Sequence, residues 1–167
     1  PRKFKIAVSG GANDRAALRV HDIGLQISRN DAGEIGFEVM VGGGQGRTPM
    51  LAKTIREFLP KAELLPYLES ILRVYNQLGR RDNIYKARIK ILVHEIGSEK
   101  LAELVEAEWC QVREGFIGLP QDEVARISRY FAQPPFDPVA TSGSDLDKTQ
   151  HADSAFDLWL EQNVDAH

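Results

Sequence analysis

The spacing of apolar residues changes once along this 167-residue chain, from every second residue to every third or fourth at about residue 62. A period of two belongs to a pleated strand with one buried face, and a period near 3.6 to a helix with one buried stripe. A single switch therefore places strands first and helices afterwards. Residues 3–9 alternate and end at Gly10-Gly11. The stretch 21–28 puts His21, Ile23, Leu25 and Ile27 on one side, and 35–41 alternates again beyond the turn cluster Asn30-Asp31-Ala32-Gly33. These two form an antiparallel hairpin with the first strand alongside. Helices are predicted over 62–78, stopped by Gly79; over 84–96, stopped by Gly97 with Asp82 or Asn83 as N-cap; over 99–113, capped by Ser98; over 121–131 after Pro120; and from Ala155 to Val164. The expected class is α+β: an antiparallel or mixed sheet from the N-terminal strands packed against several helices, not a doubly wound sheet.

Cysteine usage narrows the chemistry further. Cys110 is the single cysteine, so the chain can close no disulfide and cannot alone complete a thiolate-held zinc or iron–sulfur site. Beside Trp109 in a helical pattern, it is expected to pack as a small hydrophobe. No apolar run reaches the length of a membrane span. The chain begins at Pro1 without an initiating Met, the expectation for a piece of a longer protein, and its default compartment is the cytoplasm. Charge is uneven. Residues 1–96 hold 16 Lys+Arg against 10 Asp+Glu, and 97–167 hold 5 against 14. A basic first part fits an anionic partner.

Three clusters carry that basic character. Lys3 and Lys5 alternate with Phe4, Ile6 and Val8, so a strand puts both ammonium groups on one face with Cα atoms about 6.6 Å apart. That pair grips a small oxyanion or a cofactor carboxylate, or serves as a solvated edge that discourages strand pairing. Val39-Met40-Val41 runs into Gly42-Gly43-Gly44-Gln45-Gly46-Arg47, a glycine loop followed by a cation. Its N–H groups could form an anion nest, although neither the phosphate-loop ending nor the dinucleotide spacing is present. Arg80, Arg81, Lys86, Arg88 and Lys90 place five cations in eleven residues. Lys86 and Lys90 would share a helix face with His94 a turn further on, and Arg88 would point elsewhere. Without an aromatic stacking pattern, and with an acidic balance overall, nucleic acid is not the expected partner. No metal-ligand spacing or nucleophile elbow appears.

In this order, Pro1-Arg2-Lys3-Phe4-Lys5, Asn13-Asp14, Val41-Gly42-Gly43-Gly44 with Arg47-Thr48, and Arg80-Arg81-Asp82 through Lys86-Ala87-Arg88-Ile89-Lys90 resemble the central domain of the sirohaem-dependent sulfite and nitrite reductases. The resemblance covers roughly residues 1–113. It implies a nitrite/sulfite reductase domain-like fold in which Lys3 and Lys5 bind the sulfite or nitrite anion. Gly42, Gly43, Gly44, Arg47, Arg81, Arg88 and Lys90 would lie near the carboxylates of sirohaem. The cysteine quartet of the 4Fe–4S cluster, and arginines completing the anion pocket, would come from elsewhere in the parent polypeptide, which also receives electrons from a donor protein or subunit. The isolated chain is then expected to carry neither cofactor, to be colourless and to be catalytically silent. Two other readings stay open: a stand-alone domain gripping a phosphorylated ligand through Gly42–Arg47, and a folding unit with no ligand.

The expected organisation is a reductase-like domain over 1–131, a linker over 132–150, and a short helical segment over 151–167. Pro134-Pro135, Pro138 and Ser142–Asp145 have linker composition, and the acidic bias adds self-repulsion. Limited proteolysis should cut first between about residues 137 and 152 and leave a core with its helical signal. Early cleavage inside 84–113 would place the boundary elsewhere.

Overall fold

Each alternating segment contains a strand, but the first strand covers only the second half of its segment and leaves Lys3, Phe4 and Lys5 ahead of it, and one strand was not foreseen. β1 (Ile6–Ser9), β2 (Ile23–Arg29), β3 (Ile35–Val41) and β4 (Lys53–Pro60) make one sheet in sequential order. β1 runs parallel to β2, and the β2–β3 and β3–β4 pairs are antiparallel, so the sheet is mixed. The unforeseen strand, β4, lies at an edge, carries Arg56 and Glu57 at its centre and ends on Pro60. Edge strands tolerate charge and proline, which hides them from an alternation test. The computed structural model describes residues 3–116, 118–135 and 154–163.

Contacts divide the chain into two units, Pro1–Gly118 and Leu119–His167. In the first, α1 (Leu64–Leu78), α2 (Ile89–Ile96) and α3 (Ser98–Gly115) cover one face of the sheet. Ile23 and Leu25 of β2 and Val39 and Val41 of β3 meet Tyr67, Ile71 and Val74 of α1, Ile89 and Leu92 of α2, and Leu101 and Val105 of α3. The buried stripe of α1 follows Tyr67, Ile71, Val74 and Tyr75, which leaves Leu65, Leu72 and Leu78 on the rim. Across the sheet, Leu18, Met40 and Ala52 form a smaller cluster.

A polar strap ties β4 to the helices. The Arg56 guanidinium donates to Glu106 at 2.8 Å, and the Tyr67 hydroxyl donates to the other oxygen of that carboxylate at 2.9 Å. Burial first, then the Glu106 carboxylate, push the Tyr67 hydroxyl far above its ordinary value, so it remains a proton donor. Trp109 packs edge-on to Tyr67 and donates its indole N–H to Glu63 at 3.1 Å.

The second unit holds α4 (Gln121–Ser128), a 3-10 turn at Arg129–Phe131, and α5 (Ser154–Asn163), on which Phe156 and Trp159 stack at 6.1 Å. Helix 121–128 thus groups with this unit, and the expected linker lies largely outside the described residues.

Three local expectations are corrected. Residues 84–88 are not helical: Asn83 Oδ1 accepts the Tyr85 N–H at 2.9 Å in a tight turn, Asp82 pairs with Arg80 at 2.6 Å, and α2 starts only at Ile89 after an extended Arg88. Ser98 lies inside α3, whose N-cap is Gly97 at φ +84°, a conformation that suits glycine. Cys110 is exposed, because one step beyond buried Trp109 turns about 100° around the helix. Its thiol should react stoichiometrically with an aromatic disulfide reagent in the native chain. Reaction only after denaturation would show that it is covered.

Candidate functional site

Side-chain alternation at the start of the chain separates Phe4 from its neighbours. Phe4 turns toward the helices and stacks on Tyr75 at 6.4 Å, while Lys3 and Lys5 face the opposite way into a cavity of about 440 Å³. The other walls of that cavity are Ala17 and Val20 at the two ends of a 3-10 turn, His21, the loop residues Gln45 and Gly46, and Arg88. Gln45 and Arg88 also line a second cavity of about 460 Å³ with Arg47, Thr48, Lys86 and Lys90. The two cavities adjoin through these shared residues as the two compartments of a basic trough, which carries Lys3 and Lys5 in the first, Arg47, Lys86 and Lys90 in the second and Arg88 in both.

One buried carboxylate organises the trough. Asp22 is 0% exposed, and its Oδ1 accepts Arg88 Nη2 at 2.8 Å and Nε at 3.3 Å. Its Oδ2 accepts the backbone N–H of Lys5 at 3.0 Å, and its own carbonyl accepts the N–H of Gly42 at 3.0 Å. A buried charge persists where it is paired and hydrogen-bonded, as this one is. His21, beside it, bonds through Nδ1 to the Ala17 carbonyl at 2.9 Å. A carbonyl only accepts, so this contact assigns the proton of the neutral ring to Nδ1.

The glycine loop closes on itself. Gly44 and Met50 exchange two backbone hydrogen bonds of 2.9 Å, and Lys90 Nζ reaches inside to the carbonyls of Thr48 at 2.6 Å and Gln45 at 3.4 Å. Burial, then the neighbouring Arg88 charge, pull the Lys90 ammonium below its ordinary value. The amides of Gly42 and Gly44 are not available to an anion nest, because they are already committed to the carbonyls of Asp22 and Met50. What these glycines provide is close approach. A Cβ on Gly44 would lie 2.9 Å from Lys90 Cδ and 3.0 Å from Arg88 Nη2, the side chains that cross it.

The structure thus brings Lys3, Lys5, Arg47, Arg88 and Lys90 together, with Gly42, Gly43 and Gly44 buried along the loop that carries Arg47. Arg88, expected to point elsewhere, turns inward because its extended backbone directs it to Asp22. Arg81 lies apart. Its guanidinium sits 5.0 Å over the Tyr75 ring and donates to Asn76 Oδ1 at 3.2 Å, beside a separate cavity with Phe4. Asp22 and His21 were missed as site residues. An acidic residue opening an apolar strand is the one signal for Asp22, and nothing in spacing names a partner 66 positions away.

Among the described residues no group of His, Cys, Asp and Glu could hold a metal, and no helix is long and apolar enough to cross a membrane. Comparison with known proteins places the chain in a family. Residues 1–112 match the family described as nitrite and sulphite reductase 4Fe-4S domain, and the chain belongs to that family. A protein named sulfite reductase (ferredoxin) from Synechococcus elongatus is 40% identical over 114 residues, which cover 64% of this chain and 18% of that protein. The assimilatory ferredoxin-dependent nitrite reductase of Haloferax mediterranei is 35% identical over 114 residues, covering 65% of this chain and 20% of the relative. The solved structure of the Mycobacterium tuberculosis NirA protein shares the fold with a TM-score of 0.52 at 27% identity, over 56% of this chain and 17% of that one. The chain therefore spans about a fifth of the length of the curated relatives it matches.

Proposed function

We propose that this chain is the anion- and cofactor-facing domain of a longer sirohaem-dependent reductase, acting on sulfite or nitrite. The observation that carries the reading is the convergence of Lys3, Lys5 and Arg88 on one cavity, all within the family-matched residues. In this reading the anion lies against Lys3 and Lys5, whose Nζ groups offset its charge and hold protons beside the oxygens to be released as water. Arg88 closes the far side. Sirohaem, when bound, supplies the iron at which multi-electron reduction occurs.

The residues present fit the rim of such a macrocycle, which bears many carboxylates. Arg47, Arg88 and Lys90 line a trough whose loop has no Cβ at Gly44 to fill the crossing point. Arg81, committed to the end of α1, has no part in it. A 4Fe–4S cluster does not fit this chain. Four thiolates are needed and Cys110 is the single cysteine, exposed on α3, so no step is derived through a cluster here. All four cluster ligands belong to the longer polypeptide, and electrons come from a donor protein or subunit, by analogy with the ferredoxin in the relatives' names. A cytoplasmic location is part of the proposal.

Absorption spectroscopy tests it. The longer protein should show sirohaem bands, with lowered cofactor content after Arg47→Ala, while the isolated 167-residue chain should be colourless. A longer protein purified without those bands, yet active, would overturn the reading.

A further inference from the structure

Asp22 sits where three segments meet: the start of the chain, the glycine loop and the entry to α2, the last two also joined by Lys90 Nζ on the Thr48 and Gln45 carbonyls. Its side chain is fully buried and makes three hydrogen bonds, two from Arg88 and one from the Lys5 N–H, and its carbonyl takes a fourth from Gly42. Lys5 lies ahead of β1, the Lys5 carbonyl accepts the Ile23 N–H at 3.1 Å, and Asp22 immediately precedes Ile23. The segment carrying the two lysines is thus held on both sides of the Lys5 peptide. On the opposite wall, the Arg88 fork is oriented by the same carboxylate, with its side chain 15% exposed toward the trough.

We propose that Asp22 is a positioning residue that sets the distance between the Lys5 wall and the Arg88 wall of the anion pocket, without touching the anion itself. This rests on the reading of that pocket given above. A carboxylate suits the task because its two oxygens accept from both walls at once. An amide in the same place accepts through one atom only, and its NH₂ would oppose either the Lys5 N–H or the guanidinium.

The test uses the 167-residue chain with sodium sulfite as probe, followed by ¹H–¹⁵N spectra of backbone amides and of the Arg88 Nε–H. In the unaltered chain, sulfite should shift the Lys5 amide and the Arg88 Nε–H with one common affinity. Asp22→Asn should weaken sulfite binding about tenfold and move the Arg88 Nε–H signal even without sulfite, while α3 amides such as Leu101 stay in place. Arg88→Gln should lose a similar factor, and the Asp22→Asn/Arg88→Gln double variant little more, because one acts through the other. If Asp22→Asn does not fold, Asp22→Glu takes its place. It keeps the charge but adds a methylene between the walls, and the same loss is expected. Unchanged sulfite affinity in the folded Asp22 variant, or losses that multiply in the double variant, would overturn the positioning role alone. An unaltered chain in which sulfite moves neither the Lys5 amide nor the Arg88 Nε–H would overturn the positioning role, while the pocket reading stands or falls with the absorption bands of the longer protein.

Discussion

Replacing Lys5 with alanine in the longer protein should lower sulfite turnover by about 100-fold or more, the loss seen when one preorganised charge facing a reacting oxyanion is removed. The position of the ammonium explains the size of the effect. Lys5 projects into the cavity from a backbone fixed on both sides, by Asp22 Oδ2 at 3.0 Å and by Ile23 at 3.1 Å. Water entering the vacated space brings a dipole that must reorient as charge develops, whereas the ammonium is already aimed. Lys3 lies two residues further out and lacks those ties, so Lys3→Ala should lose less. Cofactor content should stay near normal in both variants, because Arg47 and Lys90 line the neighbouring cavity rather than this one. If the lysines act mainly as charge develops, kcat falls with little change in KM; a rise in KM alone would mark uniform binding of the anion. Near-normal turnover in both variants would return the pair to a solvated basic segment ahead of β1.

How the lysines came to be legible, and Asp22 not, follows from the range of the forces involved. Alternation is local: Phe4 must point opposite to Lys3 and Lys5, and the structure puts Phe4 on Tyr75 and the lysines in the cavity. Helix stops are local too, so Gly79 and Gly97 end α1 and α2 as their sequence context implies. The glycine loop was visible as a loop, but the partners of its Gly42 and Gly44 amides, Asp22 and Met50, were not, because they lie outside its glycine run. The helix drawn over 84–96 failed at its first turn, where the side chains of Asp82 and Asn83 offer bonds that compete with helical ones. Arg88 then faces inward through a contact across 66 positions. Such tertiary pairs leave no periodic trace.

Gly43→Ala should be the most damaging single methyl in the domain, lowering stability by about 3 kcal/mol or more. The backbone there is not in a conformation reserved for glycine; the obstacle is space. A Cβ would overlap the carbonyl oxygen of Arg19 and lie 2.5 Å from that of His21. Neither can swing aside as a side chain would. The Arg19 carbonyl accepts the Ala52 N–H at 2.7 Å, and His21 closes the 3-10 turn through its N–H to Leu18 at 3.2 Å. Moving them shifts Asp22, and with it both walls of the trough, so anion binding should fail together with stability. Gly33→Ala provides the control. Its φ of +79° is strained for alanine, but no atom lies within 4 Å of the added methyl, so the cost should stay near the 1–2 kcal/mol of a left-handed residue. Gly44→Ala falls between, since Lys90 and Arg88 side chains rather than backbone receive the methyl. Urea denaturation of the three variants should rank them Gly43, Gly44, Gly33 from most to least damaging. A Gly43→Ala chain as stable as Gly33→Ala would mean that the turn before β2 and the loop after β3 are not packed as tightly as these contacts require.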